Sequence, residues 1–494
     1  MKRIARAAAI FVVAIVMAGC TTVVDGKPTA SGTNPFEVGG KPVTEGPSGL
    51  RSGAPGPLRD VVNGDGGEID RLAQFSIADI EEFWRKSFGP PLTGKFAPVD
   101  ALFSYDSRFK HGTFCGDDTE DEPNLMYCSG RSKNCSAAMT CSPSYNTIGW
   151  DRGIYVPRDR ELFGEMMIPL DLAHEYGHAI SAMADEPVTG TAETYLVGEQ
   201  QADCFSGLYL KWVADGNSRR FTLSTGEALD KLLASQISVR DSLLGVGDPR
   251  QAMMVHGSAF ERVTAFQMGF AADGLQQCAA IDIPEIERRR GDLPPELLED
   301  GQTGEYPITR DSVTALVDTL KTLFPPASAP KLAFEQASCG DSKSTSPASF
   351  CPSTNTIAVD LNRMVLMGTS LTRGSPFVDK FKAPLFGDYT AYSVLVSRYM
   401  LAVQAGKGDM ALDTVEAGLR TACLTGAATK KLALPSSQLR LYAGDVDEAV
   451  TGVLTNGLVA SDVNGDYAPA GFARVDAFRT GVLSGESKCF SRWP

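Results

Sequence analysis

The chain has 494 residues, enough for two to four domains of ordinary size. Apolar residues make up 43% and charged residues 21%, close to the globular average, which excludes a chain disordered throughout. Lys and Arg number 46 against 60 Asp and Glu, a net charge of −14, which argues against a nucleic-acid partner because that role needs a basic patch.

Lys2, Arg3 and Arg6 open the chain, and Ala7 to Val16 is an unbroken apolar run. That run is too short to span a bilayer comfortably and has the length of a secretory h-region. Met17-Ala18-Gly19-Cys20 follows and resembles the bacterial lipobox, where the chain is cut before a Cys whose thiol carries a diacylglyceryl group. Residues 1–19 are therefore expected to be a lipoprotein signal peptide and Cys20 the lipidation site. Two acyl chains would anchor the protein on the extracytoplasmic face of the cell membrane. A plain cleaved signal peptide with an incidental Cys20 is the alternative. No later stretch approaches 18 apolar residues, so the remainder is expected to be water-soluble.

Residues 20–68 are rich in Gly, Pro, Thr and Ser and read as a flexible tether. Ile77 to Phe88 is an amphipathic helical pattern stopped by Gly89-Pro90-Pro91. Phe103 to Val156 carries turns, cysteines and short alternating runs, the signature of a hairpin or small sheet. Helical patterns then follow at Phe163 to Ala184, Thr194 to Val213, Gly226 to Leu243 (one helix or two) and Phe260 to Ala272. The expected class is α+β, helix-dominated. A polar, proline-containing break at 287–310 reads as a linker between a domain at 69–286 and another at 311–494.

The two sides of that break look alike. Phe88-Gly-Pro-Pro matches Phe324-Pro-Pro, and Cys115-Gly116 matches Cys339-Gly340. Cys141-Ser-Pro-Ser-Tyr-Asn146 matches Cys351-Pro-Ser-Thr-Asn355, and Phe163-Gly164-Glu165 matches Phe386-Gly387-Asp388. Cys204 matches Cys423, Phe260 to Phe266 matches Phe472 to Phe478, and Cys278 matches Cys489. The order is kept and the offset stays between 209 (146 to 355) and 236 (88 to 324), so the chain reads as a tandem duplication. Setting Cys20 aside leaves ten of the 11 cysteines, an even number suited to disulfides in an exported protein. Shared cysteines should pair within each half: Cys115–Cys141 with Cys339–Cys351, and Cys204–Cys278 with Cys423–Cys489. Cys128 and Cys135 have no counterpart and are expected to pair with each other in an inserted loop.

His174-Glu-Tyr-Gly-His178 lies inside the helical pattern from Phe163 to Ala184. Positions i and i+4 share one helix face, so both imidazoles can reach one ion, and Glu175 between them lies within reach of a metal-bound water. Only four His occur in the chain, and two fall in this motif. Catalytic zinc needs a third protein ligand and an open position. Glu199-Gln-Gln-Ala-Asp203 supplies a Glu and an Asp on one face of the next helix. The ExxxD arrangement resembles the gluzincin metallopeptidases, where the Glu is the third ligand and the Asp holds a ligand His. Glu193 competes as third ligand but lacks the Asp partner. His256, in His256-Gly257-Ser258 before a helix, is either an oxyanion-stabilising residue or a structural, capping one. His111 sits in a polar loop pattern and is expected to be exposed. Tyr176 and Gly177 read as packing positions, and Arg262 and Arg474, present in both halves, as residues serving the fold.

Ala173 to His178, Glu199 to Gly207 and His256 to Val263 together resemble the bacterial putative neutral zinc metallopeptidase family, across roughly residues 75–285. With the lipobox, the whole chain is similar to actinobacterial, mycobacterial-type lipoprotein peptidases. The resemblance implies a zincin-like domain, one Zn2+ per chain, a peptide or protein substrate, His174, His178 and Glu199 as ligands, and Glu175 as general base. The insert around Cys128 and Cys135 departs from it. In the second half the aligned positions are Ser397, Arg398, Leu401, Gly418, Ala422 and Ala468, so every residue assigned to chemistry is replaced. That half is expected to be a degenerate, metal-free copy, with a protein partner for it left open. The competing reading is a non-catalytic surface binding or assembly lipoprotein with a structural zinc. Substrate identity is not readable.

Overall fold

A computed structural model describes residues 36–56, 58–110, 112–129, 146–184, 190–241, 256–291, 293, 305–335, 339–369, 386–408, 410–433, 441 and 443–494. The expected signal peptide, Cys20, His111, Cys135 and Cys141 lie outside them, as do residues 292 and 294–304 of the expected linker.

The stretch that composition marks as a tether is bound to the body from Phe36 onward. Glu37–Val38 (β1) and Lys41–Pro42 (β2) form a hairpin that turns through Gly39 and Gly40, at φ +56° and +77°. Gly49–Leu50 (β3) pairs antiparallel with Phe221 and Thr222. Thr44 N donates to Thr225 Oγ1 at 3.0 Å, and the hydroxyls of Ser48 and Ser224 lie 3.0 Å apart. Gly, Ser and Thr are turn formers and hydrogen-bond donors as well as flexible residues; here they make a strap.

Helix α1 (Glu68–Ser87) begins earlier than its strongest amphipathic stretch, because Leu72 and Ala73 continue the buried face. Acidic residues in its first turn and basic ones in its last complement the helix dipole. The small sheet follows. It comprises β4 (Ala101–Tyr105), β7 (Leu125–Cys128) and β8 (Thr147–Asp151), with a separate hairpin of β5 (Thr113–Phe114) and β6 (Asp117–Asp118) between β4 and β7 in sequence. β4 runs parallel to β8, and β7 lies antiparallel on the other side of β8. The helical pattern from Phe163 to Ala184 forms as α3 (Met167–Met183); Phe163 instead ends a separate preceding helix, α2 (Tyr155–Phe163), and Gly164 at φ +92° divides the two. Next come α4 (Ala192–Ala214), β9 (Phe221–Thr222), α5 (Glu227–Ser238), α6 (Ala259–Ala271) and the short α7 (Gln276–Ala279). The start of the expected linker is helical: α8 (Ile283–Arg290) is capped by Asp282 and ended by Gly291 at φ +67°.

Beyond it lie α9 (Arg310–Leu323), β10 (Lys331–Ala333), β11 (Ala348–Cys351), β12 (Thr356–Val359) and α10 (Leu361–Met367). The remaining helices are α11 (Asp388–Ala405), α12 (Val415–Leu432), α13 (Ala443–Thr455), α14 (Gly471–Ser484) and α15 (Glu486–Arg492). β10 is parallel to β12 and β11 antiparallel to it, the same order and directions as β4, β8 and β7. The fold is helix-rich with a minor sheet in each half, as the patterning predicts.

Helix α3 is buried on most of its surface and packs between α1 and α4. Close backbone contact fixes α4 on α6: a Cβ added to Gly269 would run into the Cys204 carbonyl, and one added to Gly481 would run into that of Cys423. Disulfide Cys204–Cys278 ties α4 to the short α7, and Cys423–Cys489 ties α12 to α15, with Cα atoms 5.4 and 5.6 Å apart. Cys339–Cys351 also forms.

The expected Cys115–Cys141 and Cys128–Cys135 pairs are replaced: Cys115 bonds to Cys128. The reason is the strand register. Cys128 ends β7 opposite Thr147, and Cys351 ends β11 opposite Thr356. Cys128 is thus the strand-end counterpart of Cys351. Cys141 resembles Cys351 only in the local sequence around it, because the first half carries extra residues between Cys128 and Asn146.

Candidate metal centre

Helix α3 carries His174, Glu175 and His178. Its apolar sequence favours burial, and Pro169 sits in the first turn, where a missing N–H breaks no intrahelical bond. Gly177 lets α4 approach: a Cβ there would lie 2.8 Å from Ala202 Cα. The crossing sets Glu199, one turn earlier on α4, opposite the two imidazoles. His174 Nε2 is 3.0 Å from Glu199 Oε2, and His178 Nε2 is 3.4 Å from Oε1. The two rings stand nearly perpendicular, at 88°, with centroids 5.0 Å apart. Donor atoms of His174, His178 and Glu199 all lie within 4.8 Å of one another. Glu193 is exposed in the first turn of α4 and stands outside this group.

Asp203 is fully buried and faces His174 Nδ1 at 2.8 Å. A proton on Nδ1 toward Asp203 leaves the Nε2 lone pair directed at the cluster. Arg262, from α6, grips Asp203 with two bonds, Nε to Oδ2 at 3.0 Å and Nη2 to Oδ1 at 2.8 Å, and donates to Val239 O at 2.9 Å. Sequence reasoning assigned Arg262 to the fold alone; its second role emerges only when α6 lies against α4.

Electrostatics follow from this packing. Burial opposes an imidazolium at His174, but Asp203 and Glu199 outweigh it and push the group up to about 10. Burial likewise opposes charge on Glu199, yet His178 and His174 hold it well below the usual carboxylate range. Glu175 goes the other way: burial raises it, against the pull of His178 and His174. Its Oε2 accepts from Tyr127 N at 2.7 Å, on the outer strand β7. A carboxyl raised in this way is suited to taking up a proton and giving it back.

His256 comes to the same place from the loop before α6. Its side chain is 43% exposed, and Nε2 is 3.8 Å from Glu199 Oε2. Asp241 holds it, accepting from His256 N at 2.8 Å and Gly257 N at 2.7 Å and facing Nδ1 at 3.2 Å. No motif marks Asp241, which is separated from His256 in sequence and meets it only through the fold. Ser258 caps α6 in a capping box with Glu261, so the loop serves helix and site at once.

One other group of carboxylates lies close together among the described residues, Glu305, Asp388 and Glu448 in the second half, without a His or Cys. No helix among the described residues is long and apolar enough to cross a membrane. No protein-family model, curated protein or solved structure matches this chain.

Proposed function

We propose that the chain is a zinc metallopeptidase, anchored by Cys20 on the extracytoplasmic face of the cell membrane and hydrolysing peptide bonds. One observation carries the reading: two imidazole nitrogens and a carboxylate from neighbouring helices converge, with Glu175 beside them and Asp203 behind. The donor set fits zinc. A tetrahedron with legs of about 2.1 Å has edges of about 3.4 Å, close to the 3.0 and 3.4 Å between the His nitrogens and Glu199. His174, His178 and Glu199 would hold the ion. The chemistry zinc supplies when bound there is Lewis acidity toward a water and a carbonyl oxygen.

The protein's own groups do the rest. Glu175 takes the proton of the attacking water and later delivers it to the leaving amine. His256 donates from Nε2 to the developing oxyanion, with Asp241 holding its other nitrogen. Asp203 orients His174, and Arg262 pins Asp203. The domain is zincin-like on this reading. The matching sheet order, helix-crossing glycines and disulfides support a duplicated domain whose second copy has lost the site.

The rival reading, a binding or assembly lipoprotein with structural zinc, draws on the nearness of His256 as a fourth ligand, since structural zinc is closed by four protein donors. Three residues, not four, form the mutually close set, which favours an open position. Metal analysis with cleavage of a mixed peptide library separates the two. For the peptidase, Glu175→Gln keeps zinc and lowers turnover by about 10²–10⁴-fold, and His256→Ala keeps zinc. Loss of zinc in His256→Ala, or full activity in Glu175→Gln, overturns it.

A further inference from the structure

Resting on that reading, we propose that the second half takes part in the site through Asp447, which positions His256. Asp447 lies on α13 and is 4% exposed. Its carboxylate accepts from the first two N–H groups of α6, Ala259 N at 3.1 Å and Phe260 N at 3.0 Å. With Ser258 taking Glu261 N, the first three N–H donors of α6, which have no partner within the helix, are satisfied. The loop His256-Gly257-Ser258 leads directly into these residues.

The same carboxylate also faces the other wall of the loop. Arg240 Nε is 4.0 Å from Asp447 Oδ2, and the next residue is Asp241, whose side chain holds His256. Asp241 N donates to Gly257 O at 3.0 Å, closing the two segments on each other. Asp447 therefore sits between both pieces of backbone that build the His256 loop, and it comes from the half without the metal-binding residues. Its charge also suits the positive end of the α6 dipole.

The contact has a mirror image that serves as a control. Asp230, on α5 of the first half, accepts from Gly471 N, the first N–H of α14, at 2.8 and 2.9 Å. Arg474 stands 3.7 Å from it. The halves thus exchange one carboxylate each, as in a two-fold interface. Breaking either contact weakens the same interface, but only Asp447 touches the residues on either side of the His256 loop, Ala259 and Phe260 at one end and Arg240 beside Asp241 at the other. Asp447 is a positioning residue.

The test uses the full chain with Asp447→Asn and Asp230→Asn, and Asp447→Glu to keep the charge while shifting the carboxylate. With four His in the protein, imidazole ¹H–¹⁵N spectra report His256 directly. The expected result is a moved His256 signal in Asp447→Asn, with those of His174 and His178 in place. Turnover should fall by about 10–100-fold, the cost of a misplaced group, with KM changed by less than about twofold, since His256 acts on the transition state. Asp230→Asn should lower Tm without moving the His256 signal or the turnover. If Asp447→Asn does not fold, Asp447→Glu is scored by the same signal. An unmoved His256 signal, or an equal movement in Asp230→Asn, overturns the proposal. Absence of cleavage in the wild-type protein instead refutes the peptidase reading, while the spectra still decide the role of Asp447.

Discussion

The place where α3 meets α4 in the first half and the place where α11 meets α12 in the second share a frame and differ in what fills it. In the first, Glu199 faces His174 and His178 across a partly exposed gap. In the second, Gly418 lies so close to its neighbour that a Cβ would be 2.5 Å from Ala460 O. Arg398 stands at the position of Glu175, and its guanidinium reaches Asp462 O at 3.2 Å, Leu458 O at 2.5 Å and Ser461 Oγ at 2.6 Å. The segment 458–462 therefore packs over the position where the first half keeps its carboxylate. Similar glycine crossings and disulfides surround either a cluster of His and Glu or a solid core. The difference lies in a few side chains at the crossing.

Removing Arg398 should break that comparison most strongly. Arg398→Ala leaves carbonyls unpaired and a void, and should cost about 2–5 kcal/mol in urea unfolding without lowering zinc content. Loss of zinc would mean that the halves are not separable in this way.

A pH series probes the surface between them. Burial pushes both Asp230 and Asp447 up from the ordinary 3.8 to about 6. The folded state then holds more protons than the unfolded one between about pH 4 and 6. Stability from these groups is complete below the lower value and is lost as the pH rises through about 6, by roughly 1–3 kcal/mol each. Asp→Asn at either position should flatten that slope in unfolding curves recorded from pH 4.5 to 7.

The smallest expected effect sharpens the contrast between Arg262 and Arg474. Arg474 donates to the carbonyls of Val453, Leu454, Ala468 and Pro469, whereas Arg262 has the carboxylate of Asp203. On the proposed zinc reading, Arg262→Lys should weaken metal binding about tenfold, as loss of an orienting partner does, measured by competition with a chelator. Arg474→Lys should leave zinc affinity unchanged.

Much of this was legible in the chain before any fold. His174, Glu175 and His178 announce themselves because helical spacing alone places i and i+4 on one face, and Glu199 with Asp203 repeats that logic on the next helix. The long helices were readable for the same reason, from their apolar period. The partner of Cys115 is not legible in the same way, because strand register, not local likeness, selects Cys128. The strap at 36–67 was misread because Gly, Ser and Thr favour turns and loose chain alike.

Local periodicity and residue chemistry thus determined the helices, the minor sheet in each half and the nucleus of the candidate centre. Only tertiary packing decided that Gly177 brings α4 within reach, that Arg262 pins Asp203, that Asp241 holds His256, and that a carboxylate from the far half seats the start of α6. Those contacts join residues far apart in sequence, and their geometry depends on how whole helices cross, which no short window of residues encodes.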